Sequence, residues 1–186
     1  MGKFFKELKN QSRPKTVLME MFSYIKIFSA AILIAFVLTR CVIVNAETPT
    51  SSMENTIMTG DRYFGLRISY LFEEPQRQDI IVFKFPDDES RVFVKRIIGI
   101  PGDIVEIKND MVYVNGEQLE EPYLKEPMSL GQNMVFEVPA DSYFVMGDNR
   151  NISNNTLNNT YVKKEQIIGK AMVKYYSGKV TFEVMK

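Results

Sequence analysis

Histidine is absent from all 186 residues. A serine hydrolase of the Ser-His-Asp type therefore cannot be built from this chain, and any hydrolysis at neutral pH must draw its base from another side chain. Cysteine occurs once, as Cys41, which excludes an intramolecular disulfide, a Cys-based metal site and a Cys-His nucleophile pair. The carboxylates show no EF-hand spacing and no other dense cluster of oxygen ligands, so no metal and no other cofactor is expected. Also missing are an internal repeat and a low-complexity tract, although residues 151–159 are rich in asparagine and read as a loop. What remains for chemistry is hydroxyl, amine and carboxylate.

Lys+Arg and Asp+Glu balance at 23 each, but the balance hides an asymmetry. Lys3, Lys6, Lys9, Arg13, Lys15 and Lys26 face only Glu7 and Glu20 in the first 26 residues, and from Glu47 onward the chain is net acidic. Nucleic acid is a poor partner for an acidic domain. Between the two parts, residues 21–44 form an apolar run long enough, at about 1.5 Å per residue, to cross a bilayer core of about 30 Å. Lys26 and Arg40 lie near its ends, where long stems let the charges reach the headgroups. The basic head places the N-terminus in the cytoplasm and the rest outside the cell membrane, as a single-pass protein. A cleaved signal peptide ending at Val44-Asn45-Ala46 is the competing reading, and Arg40 between its apolar core and cleavage site argues against it. A lipoprotein signal through Cys41 fails because Arg40 occupies the preceding position, which needs a small residue.

Beyond the span the sequence breaks into short strand-like runs. Residues 79–85 and 92–98 are rich in β-branched and aromatic side chains. Residues 104–108 and 111–114 flank Asn109-Asp110, a tight-hairpin signal, and Asn115-Gly116 supplies the next turn. Residues 134–138 and 143–146 add two more strands. The expectation is a mainly β protein: a basic cytoplasmic segment over 1–20, a transmembrane helix over 21–44, and an all-β extracytoplasmic domain over 45–186.

Within RVFVKRIIGIPGD, a strand puts Arg91, Phe93, Lys95 and Ile97 on one face and Arg96 on the other. Apolar neighbours on both sides would desolvate the Lys95 ammonium and favour the neutral amine, which can act as a base. On this segment alone, a snorkelling strand lysine is the commoner reading. Arg96 is expected to tolerate lysine better than Lys95 tolerates arginine.

Three segments combine into one pattern: TPTSSMENT after the membrane span, then VKRIIGIPGD, then MGDNRNIS. Taken singly, GDNR reads as a turn with Asp148 and Arg150 paired locally. Together, and in this order, the segments resemble type I signal peptidase, the membrane-anchored Ser-Lys protease family. RQDIIVFKFP, YVNG and IIGKA match further stretches; lysine at position 95 resembles the bacterial branch, and short length with one span resembles its Gram-positive type. The resemblance implies Ser52 as nucleophile and Lys95 as general base. It also implies Thr50 and the Ser52 backbone N–H as oxyanion donors, and Ser153, Asp148 and Arg150 as supporting residues. Shallow apolar pockets near Met53 and the hairpin would accept the small residues that flank the cut in exported precursors bearing signal peptides. Asn55 departs from the family's proline, Gln78 from a glycine, and Asn155, Thr156 and Leu157 from Asp-Ser-Arg. Two other functions compete: a catalytically weak chaperone or assembly factor for surface proteins such as pilins, and a self-cleaving Ser-Lys repressor. Retention of both Ser52 and Lys95 favours an enzyme, and a membrane span stands where the repressor has its DNA-binding head.

Overall fold

The computed structural model describes residues 14–152 and 161–185, and the chain divides into two units at Cys41/Val42. The first unit is built on α1 (Pro14–Val37). The helix is continued by one π-helical turn, Leu38–Val42. Residues Val17–Val42 are long and apolar enough to cross a membrane. Polar side chains along the helix satisfy themselves locally: the Ser23, Ser29 and Thr39 hydroxyls donate to the carbonyls of Met19, Ile25 and Ala35 at 3.0, 2.7 and 2.8 Å.

The second unit holds two antiparallel sheets. The strands are β1 (Ile43–Glu47), β2 (Arg62–Leu66), β3 (Ile80–Phe85), β4 (Asp88–Gly99), β5 (Ile104–Lys108), β6 (Met111–Val114), β7 (Glu117–Gln118), β8 (Met134–Glu137), β9 (Ser142–Met146), β10 (Tyr161–Lys163), β11 (Ile167–Tyr176) and β12 (Val180–Val184). The large sheet runs β1-β2-β11-β3-β4-β9-β10, with β12 on β11, and the small sheet runs β7-β6-β5-β8. The mainly β architecture expected beyond the apolar helix is therefore what the chain adopts.

The first four residues of β3, 80–83, are an unbroken apolar run because both faces of the strand are covered there. Ile80 and Val82 pack with Val94 and Met53, whereas Ile81 and Phe83 pack with Ile97, Tyr143 and Val145. The small sheet closes a third cluster in which Val105, Ile107 and Val112 meet Phe144 and Met146 of β9. The expected hairpin forms as read, with Asn109 and Asp110 both in the left-handed region at φ 51° and 60°.

Both ends of the membrane segment differ from the sequence reading: the apolar helix already includes residues 17–20. Ile43 and Val44, assigned to the end of the membrane segment, instead begin β1, pairing with Leu66 and Gly65 of β2. A β-branched apolar dipeptide suits either setting, and the pairing partner that decides it lies about twenty residues downstream in a stretch with no strand signal of its own.

Candidate active site

Ser52 sits on a clamped loop rather than on a strand. The loop leaves β1 and returns to β2, and its neck is closed by Thr48 N–H donating to the Asp61 carbonyl at 3.0 Å and Gly60 N–H to the Thr48 carbonyl at 2.8 Å. Inside it, Ser51–Met53 form a 3₁₀ turn pinned by Met53 and Ile57, both fully buried. Met53, expected to contact substrate, packs in the core beneath the turn and is not among the residues lining the adjacent groove. Ser52 does line it. Its hydroxyl lies 3.3 Å from that of Thr50, and the loop after β9 holds the turn from the other side: Asn149 N–H donates to the Ser52 carbonyl and Asn149 Nδ2 to the Ser51 carbonyl, both at 3.1 Å. The peptide bond before Asn55 is cis.

Lys95 enters the same groove from β4. The groove is about 450 Å³ in volume and is bounded by the segment from Ala46 to Ser52 on one side and by Arg91 to Lys95 on the other. Lys95 stands opposite Ile81 in the β3–β4 register and is only 5% exposed. Burial lowers its pKa from 10.5 to about 8, partly countered by the negative charge of Asp148. Among the described residues Lys95 makes no ion pair, so desolvation dominates as the apolar face suggested. Tyr63, also on the groove wall, has its phenol pushed up to about 12 by burial.

Asp148 and Arg150 do not pair with each other as the isolated GDNR turn suggested. Asp148 accepts Arg96 Nε at 2.9 Å and Nη2 at 2.8 Å, together with the Thr56 hydroxyl, and both Arg96 and Asp148 are 1% exposed. Arg150 instead reaches Glu121, while its Nε donates to the Gly147 carbonyl at 3.0 Å. The reason is topological: β4 and β9 are neighbours, and the register places Arg96 beside Met146, two residues before Asp148. A lysine at position 96 has one nitrogen where Asp148 uses two and the Gln78 carbonyl accepts a third, Nη1, at 2.9 Å, so the expected tolerance of that substitution gives way to a bidentate, buried requirement. Removing either partner of such a pair strands the other charge, at a cost of about 3–5 kcal/mol.

Ser153 lies outside the described residues, as do Asn155, Thr156 and Leu157. Gln78 takes φ 73°, a conformation natural to the glycine that the resemblance leads one to expect there. Two residues that no motif marks complete the surroundings: Tyr123, whose ring lies 3.9 Å from the Arg96 guanidinium carbon, and Glu121. No group of three or more His, Cys, Asp or Glu side chains among the described residues is arranged to hold a metal ion.

The family described as signal peptidase, peptidase S26, matches residues 21–176. A probable signal peptidase I-2 of Synechocystis is 36% identical over 90% of this chain and 78% of its own length. A signal peptidase I of Leptolyngbya laminosa is 40% identical over 69% of this chain and 66% of its own. A solved signal peptidase I from Enterococcus faecalis is 35% identical, with 53% of this chain and 97% of that chain covered and a TM-score of 0.47. With the family's match extending from within the apolar helix to the end of β11, the chain belongs to the S26 family of signal peptidases.

Proposed function

We propose that this protein is a membrane-anchored serine endopeptidase that removes signal peptides from exported precursors, with Ser52 as nucleophile and Lys95 as general base. The observation that carries the reading is the convergence of a loop serine and a buried lysine on one groove, the lysine with its pKa lowered to about 8. A neutral Lys95 amine takes the Ser52 proton as Oγ attacks the scissile carbonyl, then returns it to the departing amine. The Thr50 hydroxyl and the Ser52 backbone N–H hold the developing oxyanion, where one donor is typically worth about 10²–10³ in rate. Water then opens the acyl-enzyme, with Lys95 accepting its proton in turn.

The groove suits an extended peptide laid beside β4, because its walls are largely apolar at Ala46, Pro49, Val92, Phe93 and Val94. Small side chains flanking the cut fit such walls. The basic N-terminal segment stays in the cytoplasm and the β domain works outside. The deciding measurement is cleavage of a synthetic signal-peptide substrate by purified full-length protein. Ser52→Ala should lose on the order of a thousandfold or more in kcat while Ser51→Ala remains close to wild type. Wild-type turnover by Ser52→Ala would remove the assignment.

A further inference from the structure

The candidate chemistry comes from three separated places: the turn at Ser52, strand β4 at Lys95, and the loop after β9. Backbone pairing joins β4 to β9, but the Ser52 turn belongs to no strand. One further segment touches all three. It is the stretch between β7 and β8, residues 119–133, which leaves the small sheet and returns to it.

At its start, Glu121 takes the Arg150 guanidinium and accepts the Tyr123 hydroxyl at 2.9 Å. Tyr123 then lays its ring over Arg96, the residue after Lys95. Two residues on, Lys125 donates to Glu54, two residues after Ser52, at 2.8 Å. Finally Asn151 is held from both ends, its Nδ2 donating to Glu126 at 2.9 Å and its Oδ1 accepting Ser129 N–H at 2.9 Å. The stretch is itself anchored to the small sheet, where Leu119 N–H donates to the Val112 carbonyl, Met128 enters the core, and Leu130 and Gly131 N–H groups donate to Asp110.

We infer that residues 121–129 form a strap that positions the Ser52–Lys95 pair, with Tyr123 as its central contact and Lys125 as its tie to the serine turn. The inference rests on the Ser-Lys reading above. Tyr123 acts through Arg96: the ring closes one face of a guanidinium whose edge is already committed to Asp148, so Arg96 has no alternative place to go and the strand is fixed at Lys95. Lys125 acts through Glu54, which limits how far the turn carrying Ser52 can move. The arrangement leaves the reacting side chains free of direct bonds to the strap, so its effect is on alignment rather than on the groups that bind peptide.

The test uses full-length protein in detergent and reads kcat, KM and thermal midpoint on a synthetic signal-peptide substrate. Tyr123→Leu, which keeps apolar volume but loses the aromatic face, should lower kcat by about tenfold or more with KM within about threefold, as expected of misplaced reacting groups. Tyr123→Phe, which keeps the face and loses the hydroxyl, should stay within about threefold of wild type. Glu54→Lys and Lys125→Glu should each lower kcat by about two- to fivefold, and the double variant should regain the loss. This set decides the matter even where Tyr123→Leu does not fold. Wild-type kcat in Tyr123→Leu, a loss confined to KM, or a charge-reversed pair no better than its singles would overturn the strap. Ser52→Ala run in parallel separates the two ideas: if it is inactive while the strap variants turn over normally, only the strap fails, and if it is active, the Ser-Lys reading and the strap fall together.

Discussion

An ammonium held at 5% exposure with no ion-pair partner among the described residues is a cost to the fold, and the general-base role proposed for Lys95 accounts for it. With a folded-state pKa of about 8 against 10.5, Lys95 is still charged in most molecules at pH 7. Methionine has similar length and no charge to desolvate. Lys95→Met should therefore raise stability by about 2–3 kcal/mol at neutral pH while abolishing cleavage. The sign follows from linkage: between pH 8 and 10.5 the unfolded wild-type chain binds more protons than the folded one, so wild-type stability rises with pH there. The advantage of the methionine variant should shrink across that window, as denaturation at pH 7 and pH 10 would show. Activity should rise with pH through about 8, and Lys95→Arg should be as inactive as Lys95→Met, since guanidinium keeps its proton. Gln78 offers a second test. Its φ of 73° strains any residue with a Cβ, so Gln78→Gly should gain about 0.5–1 kcal/mol after the added freedom of the unfolded chain is subtracted. A higher denaturation midpoint with unchanged kcat is the expected result. The desolvation of Lys95 was legible in the sequence because its apolar neighbours are local, although its choice as base came from the resemblance; Tyr123 and Glu121 were not legible, since their partners Arg96 and Arg150 lie 27 and 29 residues away.

Among the elements, the hairpins announced themselves and the long pairings did not. Asn109-Asp110 and Asn115-Gly116 specify turns by their own backbone preferences, so β5, β6 and β7 follow from adjacent residues. Strand β11 gives no comparable signal, although it joins β2, β3 and β12 and so ties the sheet together. Its fit depends on the absence of side chains where it meets β2. A Cβ on Gly169 would stand 2.4 Å from the Leu66 carbonyl oxygen, and one on Gly65 would stand 2.6 Å from the Lys170 carbonyl oxygen. Both obstacles are backbone and cannot rotate away. Gly169→Ala should thus push β2 and β11 apart at a cost of about 1–3 kcal/mol, read as a lower thermal midpoint. Ser52 is on the β1–β2 loop, so activity should fall at temperatures below the global transition. Retention of the wild-type midpoint would mean that the two strands can separate without loss.

At the scale of the whole molecule, the question is whether the apolar helix stays attached. Val17–Val42 spans 26 residues, about 39 Å of helix at 1.5 Å per residue, more than a bilayer core requires. A signal peptide cleaved after Ala46 is the rival account, and the sheet argues against it. Such a cut would remove Ile43, Val44, Asn45 and Ala46, four of the five β1 residues that pair with β2, and would take Ala46 from the groove wall. Val44 would leave the core cluster that includes Met53 and Ile57, which pin the serine turn. Asn45 would no longer accept the Tyr175 hydroxyl at 3.0 Å. The mature protein should therefore remain in the membrane fraction after alkaline carbonate extraction. Protease added to intact protoplasts should digest the β domain and leave a small fragment containing the helix, consistent with an internal N-terminus. Soluble, active protein beginning at Glu47 would overturn the anchor and, with it, the requirement that β1 complete the sheet.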